Sequence, residues 1–128
     1  MAGFLIAVVE QEATASHHWE SVLASDEDLV LSTLSICEFL VYYFKRGQGD
    51  AARALIEQIR GLDHAHFVGV DETIAERAAG YRYGLGIPTV DSLILATFVE
   101  QGCDLVLSVD GHFAFAGERG VVKVEMLV

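Results

Sequence analysis

Between Gly86 and Phe113 a helix-length apolar run is followed by a strand-like one, and each carries an isolated acid at its boundary. From Gly86 to Val99, Asp91 is the only charge. Pro88 fixes a φ suited to a helix start and Thr89 offers a side-chain acceptor for unpaired amides. Asp91 is therefore expected in or beside the first turn of a buried helix, where the helix dipole favours its charge. Gly102 ends that helix. Residues 104–110 then read as a short buried strand closed by Asp110 and Gly111, with 111–113 turning back. Asp110 thus leaves its strand at the carboxyl end, the edge where open α/β sheets place ligand sites.

The rest of the chain repeats this alternation. Residues 29–32 read as a strand feeding a helix over 33–45 that Gly47 stops. An amphipathic helix over 50–60 is expected to turn Ala54, Leu55 and Ile59 inward and Arg53, Glu57 and Arg60 outward. A strand over 66–70 leads into a helix from Asp71 or Glu72 to about Tyr83, with Ile74 and Ala78 inside. Residues 121–126 close as a strand. Near the start, Ser16 is a candidate cap for a helix over 17–24 that buries Trp19, Val22 and Leu23. The apolar run 4–9 fits a strand or a buried helical turn equally well. Helices alternating with strands imply the α/β class, a parallel sheet covered on both faces. At 128 residues with 52% hydrophobic, the chain is expected to form one domain over 1–128 with a proper core.

Charge narrows the function. Eight basic against 19 acidic residues, a net of -11, count against a broad nucleic-acid-binding face. A small acidic site loaded with divalent metal still presents positive potential to a phosphate. Cys37 and Cys103 are isolated in apolar segments and read as buried free thiols of a reducing compartment, which points to the cytoplasm. The longest nearly uncharged run, 29–44, is short for a membrane span and contains Glu38, and no basic leader precedes the first apolar residues. His17 and His18 are adjacent, so a helix points them apart.

Glu38 stands alone among apolar residues, as Asp91 and Asp110 do. A lone glutamate in a buried helix needs a partner or a metal, because unpaired burial costs several kcal/mol or a shifted pKa; the other reading is that it reaches solvent through a gap in the packing. Three isolated carboxylates suit hard cations such as Mg²⁺ or Mn²⁺, which take oxygen ligands and keep several waters. Such a site activates water against a phosphodiester. Gly47-Gln48-Gly49 lacks the rest of a phosphate loop, and neither a Ser-His-Asp nucleophile nor a sugar cleft is supported.

The segments 32–40, 86–96 and 103–113, each an apolar context around one acid, together resemble the PIN domain, and within it the VapC-type toxins of bacterial and archaeal toxin-antitoxin pairs. The resemblance implies a three-layer α/β/α fold with a central parallel sheet ordered 3-2-1-4-5. It also implies a Mg²⁺- or Mn²⁺-dependent ribonuclease acting on single-stranded RNA, with a cognate antitoxin as partner. Glu38 resembles the family's helix glutamate, Asp91 its helix-start aspartate and Asp110 its post-strand aspartate, all as metal ligands and catalytic acids. Thr33 and Ser108 are candidates to hydrogen-bond these carboxylates or to tie down backbone. The family opens with a strand ending in aspartate. Here residues 2–7 resemble the segment just after that aspartate, Met1 stands in its place, and Glu10 and Glu12 lie too far along to substitute. The expectation is that strand 1 is missing or replaced, that the chain as given cleaves RNA poorly, and that upstream residues would restore it. The alternative is a catalytically impaired PIN-like module that binds protein or RNA. Phe39, Tyr42, Tyr43 and Phe44 are either core or a face for a homodimer or the antitoxin.

Overall fold

The computed structural model of the protein describes residues 2–10, 13–24, 27–108 and 110–127. In order these form α1 (Ala2–Val9), α2 (Ala13–Ala24), β1 (Leu29–Ser32), α3 (Thr33–Phe44), α4 (Gly49–Arg60) and β2 (Ala65–Val68). Then come α5 (Glu72–Leu85), α6 (Thr89–Glu100), β3 (Val106–Ser108), α7 (Gly111–Glu118) and β4 (Val124–Met126). The α/β expectation holds, and both pairs of strands are parallel. β1 pairs with β2 from Leu29↔Ala65 to Ser32↔Val68, and β3 with β4 from Val106↔Val124 to Ser108↔Met126. Among the described residues these two ladders do not join. They are the pairs expected on either side of a central strand.

The run 4–9 is helical, so it does not occupy a strand position. The expectations placed on Met1, Glu12 and Val109 lie outside the described residues. Glu10 is described, and it accepts a hydrogen bond from the Tyr42 hydroxyl at 2.8 Å. That contact ties the end of α1 to the last turn of α3.

Local chemistry explains most boundaries. The Ser32 Oγ accepts from the Leu34 N–H at 3.2 Å, so the final residue of β1 is already the cap of α3. The Asp71 carboxylate accepts from the Ile74 N–H at 2.9 Å at the start of α5. Gly86, at φ 70, closes α5 in the left-handed conformation that glycine adopts without steric cost. Replacing Asp71 with alanine removes this cap and is expected to cost about 1 kcal/mol. Urea denaturation checks this, with Asp71→Asn near wild type; an unchanged midpoint in the alanine variant would contradict the role.

The core gathers Leu5, Leu31, Phe39, Ile59, Ile94, Leu95 and Phe113, each almost fully buried. α6 is the central helix: Ser92 and the whole run from Ile94 to Phe98 are buried. Its buried hydroxyls are satisfied internally, Ser92 donating to the Ile87 carbonyl at 3.0 Å and Thr97 to that of Leu93 at 2.8 Å.

Several expectations are corrected. α4 buries Ala52, Ile56 and Ile59, a stripe at helical spacing, and leaves Ala54 exposed and Leu55 half-buried. α2 begins at Ala13 rather than 17, so Ser16 lies within it; Val22 is buried, Trp19 half-buried and Leu23 exposed. α3 is not buried all round. It packs through Ser35, Phe39 and Tyr43, and Cys37, Glu38, Val41 and Phe44 are exposed. Cys37 is thus an exposed thiol and Cys103 half-buried, both free. Gly111-His112-Phe113 does not turn back but opens α7, because Asp110 supplies a cap and Phe113 and Ala116 supply a buried stripe. Gly117 lets α7 press on β4, where a Cβ would stand 3.2 Å from that of Val124.

Candidate metal centre at the carboxyl edge

Asp110 follows β3 and caps α7. Its backbone N–H donates to the Ser108 Oγ at 2.9 Å, and its Oδ1 accepts the His112 N–H at 2.7 Å. Ser108, fully buried, therefore orients the backbone of Asp110 rather than its carboxylate. The capping turn directs His112 toward α6. Its Nδ1 lies 2.7 Å from the Asp91 Oδ2 and 3.1 Å from the Asp110 Oδ1. Two facing carboxylate oxygens are both acceptors, so Nδ1 carries the ring proton in this arrangement.

Asp91 sits in the first turn of α6, as its context implied, with its side chain 18% exposed. The cap itself differs from expectation. Pro88 occupies the cap position and makes no side-chain hydrogen bond, and Thr89 is already helical. Burial of Ser92 and its bond to Ile87 hold this first turn in place. Asp91 and Asp110 thus belong to the first turns of two helices, where partial positive charge favours both.

Glu38 comes from α3. The residue is exposed, yet its carboxyl pKa is raised, first by partial burial and then by the negative charges of Asp91 and Asp110. Electrostatically it shares their site. Its carboxylate nevertheless stands outside the tightest group, in which ligand atoms of Asp91, Asp110 and His112 lie within 4.8 Å of one another. Thr33 is exposed at the start of α3. His112 escapes the sequence pattern because 111–113 resembles a turn; the available signal is an aspartate cap two residues ahead of a histidine.

The donor set fits a divalent cation. Two carboxylates offer hard oxygens, His112 offers an imidazole nitrogen once a cation displaces the Nδ1 proton, and the charges of Asp91 and Asp110, which add to burial in raising the Glu38 pKa, are ones a cation would neutralise.

The shift has a sign that can be tested. A carboxyl raised in the folded state binds its proton more tightly there than in the unfolded chain, so stability falls as pH rises from the ordinary carboxylate pKa through the folded one. Without metal, Glu38→Gln is expected to flatten this decline and to match or exceed wild-type stability above that window. Thermal melts from about pH 3.5 to 7.5 measure it, and an unchanged slope would remove Glu38 from the cluster.

The protein-family model described as PIN domain matches residues 2–118. No curated protein matches the sequence. Among solved structures, a chain described as "Toxin-antitoxin complex from Klebsiella pneumoniae" is similar, with a TM-score of 0.73 and 20% identity. The similarity covers 99% of this chain and 94% of that one; at this identity it speaks for the fold.

Proposed function

This chain belongs to the PIN domain family, and from that premise we propose that it is a divalent-metal-dependent endoribonuclease acting on single-stranded RNA, the toxin of a type II toxin-antitoxin pair. The carrying observation is the convergence of Asp91 and Asp110, with His112 between them and Glu38 within electrostatic reach. Asp91 and Asp110 would hold Mg²⁺ or Mn²⁺, with Glu38 joining directly or through water. When bound, the cation supplies an activated water and stabilises charge developing on phosphorus oxygens. The chain's own part is positional. The cap of α7 fixes Asp110, the buried start of α6 fixes Asp91, and the His112 Nδ1 hydrogen-bonds the Asp91 carboxylate in the metal-free arrangement.

On this reading the partners are the RNA, a cognate antitoxin and a second copy of the chain. Val41 and Phe44 on α3 are exposed, and half-buried Tyr42 lies beside them with the Arg46 guanidinium 3.4 Å from its ring centre, which supports a protein-binding face there. No helix among the described residues is long and apolar enough to cross a membrane. The proposed compartment is the cytoplasm.

A second reading, a PIN module that binds without cutting, draws on the unjoined ladders and on a tight donor group with only two carboxylates. One experiment separates the two. Cleavage of single-stranded RNA that depends on Mn²⁺ or Mg²⁺ and disappears in Glu38→Gln, Asp91→Asn and Asp110→Asn supports the nuclease. Metal-independent RNA or protein binding that survives all three changes supports the binding module.

A further inference from the structure

His112 meets the acids in a way that the other histidines, among the described residues, do not. His18 and His66 each pair with a single carboxylate, that of Glu125 and that of Asp28. The His112 Nδ1 lies between two, 2.7 Å from the Asp91 Oδ2 and 3.1 Å from the Asp110 Oδ1. Among the described residues no second group of three histidine, cysteine or carboxylate ligand atoms gathers within 4.8 Å.

The spacing is that of neighbouring ligands on one ion. Two atoms bound to a cation at about 2.1 Å in adjacent octahedral positions stand about 3.0 Å apart. The two His112 separations straddle that value, so Nδ1 and each oxygen need only small movements to share an ion. The backbone holds the ring in place. The His112 N–H donates to the Asp110 Oδ1 at 2.7 Å, and the next residue, Phe113, is buried in the core. The side chain itself is 51% exposed. An open ring accommodates its other neutral tautomer, with the single proton at Nε2 and a lone pair at Nδ1 directed to the acids.

Donor type then separates one ion from another. Mg²⁺ takes oxygen ligands and gives up its waters reluctantly, so a nitrogen adds little to its binding. Mn²⁺ shares the preference for carboxylates but, as a first-row transition ion, also gains from a nitrogen donor. Resting on the metal-dependent reading above, we infer that His112 is a direct metal ligand through Nδ1 and makes the site select Mn²⁺ over Mg²⁺. Asp91 and Asp110 supply the charge that draws either ion, and His112 supplies the difference between them.

The test uses the full, untagged, metal-free chain with Mn²⁺ and Mg²⁺ at fixed pH and without RNA. Pulsed EPR of the bound Mn²⁺ is expected to show nitrogen coupling from one imidazole. Competition between the ions gives the ratio of their Kd values. His112→Asn keeps a neutral polar group near the Nδ1 position and offers an oxygen in its place. The variant is expected to lose the nitrogen coupling and to bind Mn²⁺ about tenfold or more weakly, with Mg²⁺ changed less than about threefold. A histidine that only positioned the acids would give no nitrogen coupling in the wild type and would move both ions alike. That result overturns the inference, and so does coupling that persists in His112→Asn or a Mg²⁺ to Mn²⁺ ratio that the substitution leaves unchanged. The wild-type spectrum is decisive even where the variant folds poorly. Each of these failures leaves the nuclease reading standing, because the ion still binds through the carboxylates. Saturable binding of neither ion overturns the inference and the nuclease reading together.

Discussion

Asp91→Asn is expected to abolish metal-dependent RNA cleavage while leaving the metal-free protein folded. The side chain is mostly enclosed at the start of α6 and touches the His112 Nδ1, and asparagine keeps its shape while removing the charge. Changes to residues that merely support metal ligands typically cost ten- to a hundredfold, so loss of a ligand is expected to lower cleavage by about a hundredfold or more. Mn²⁺ at about a hundred times its Kd should stabilise the wild-type protein by roughly 2.7 kcal/mol and raise its melting temperature. The variant should respond far less. Because the Asp91 charge is one cause of the raised Glu38 pKa, that pKa should also fall toward the ordinary range in the variant, which NMR titration reads directly. Wild-type cleavage by Asp91→Asn, with the Mn²⁺ response intact, would defeat the metal-site assignment.

Phe113→Ala is expected to give the largest loss of stability, because Phe113 is 1% exposed and anchors α7 to the core three residues after Asp110. Truncating a buried phenylalanine costs about 3–5 kcal/mol, a large share of the roughly 5–15 kcal/mol that holds a typical domain together. The loss should reach the site as well. A loosened α7 no longer keeps the Asp110 cap and His112 in register with Asp91, so the Mn²⁺-induced rise in melting temperature should shrink. Phe115→Ala is the comparison: that ring is half-buried, with the Arg119 guanidinium 5.2 Å from its centre, and its removal should cost clearly less. Equal urea midpoints for the two variants would show that α7 is not anchored through Phe113.

Much of the fold was legible because strand and helix periods leave distinct marks. Leu29–Ser32 passing into Thr33–Phe44 followed from an apolar run with no break before Gly47, and Ile74 and Ala78 lie on the inner face of α5 as their spacing required. The differences have physical causes. α4 is amphipathic, but its buried stripe is rotated by one or two positions, because alanine at 52 and at 54 carries the same weight in a sequence pattern. α7 was hidden because Gly111 resembles a turn, whereas the Asp110 cap and the Phe113 and Ala116 stripe outweigh glycine's low helix propensity. Cys37 and Val41 lie in an apolar run and are nevertheless exposed, since α3 meets its neighbours along one stripe only.

The sequence by itself determined the α/β class and the order of the central elements, and it singled out Glu38, Asp91 and Asp110 as candidates, because a charge isolated in an apolar run is costly if that run is buried. It also determined that Asp91 starts a helix and that Asp110 follows a strand. Only the tertiary structure decided that His112 lies between those carboxylates, that Glu38 feels them from a third helix, and that the strands form two ladders with a cleft between them. Helix spacing and caps act over about four residues or fewer and leave a local trace. The approach of α3, α6 and α7, and the pairing of strands dozens of residues apart, arise from packing that no local pattern encodes.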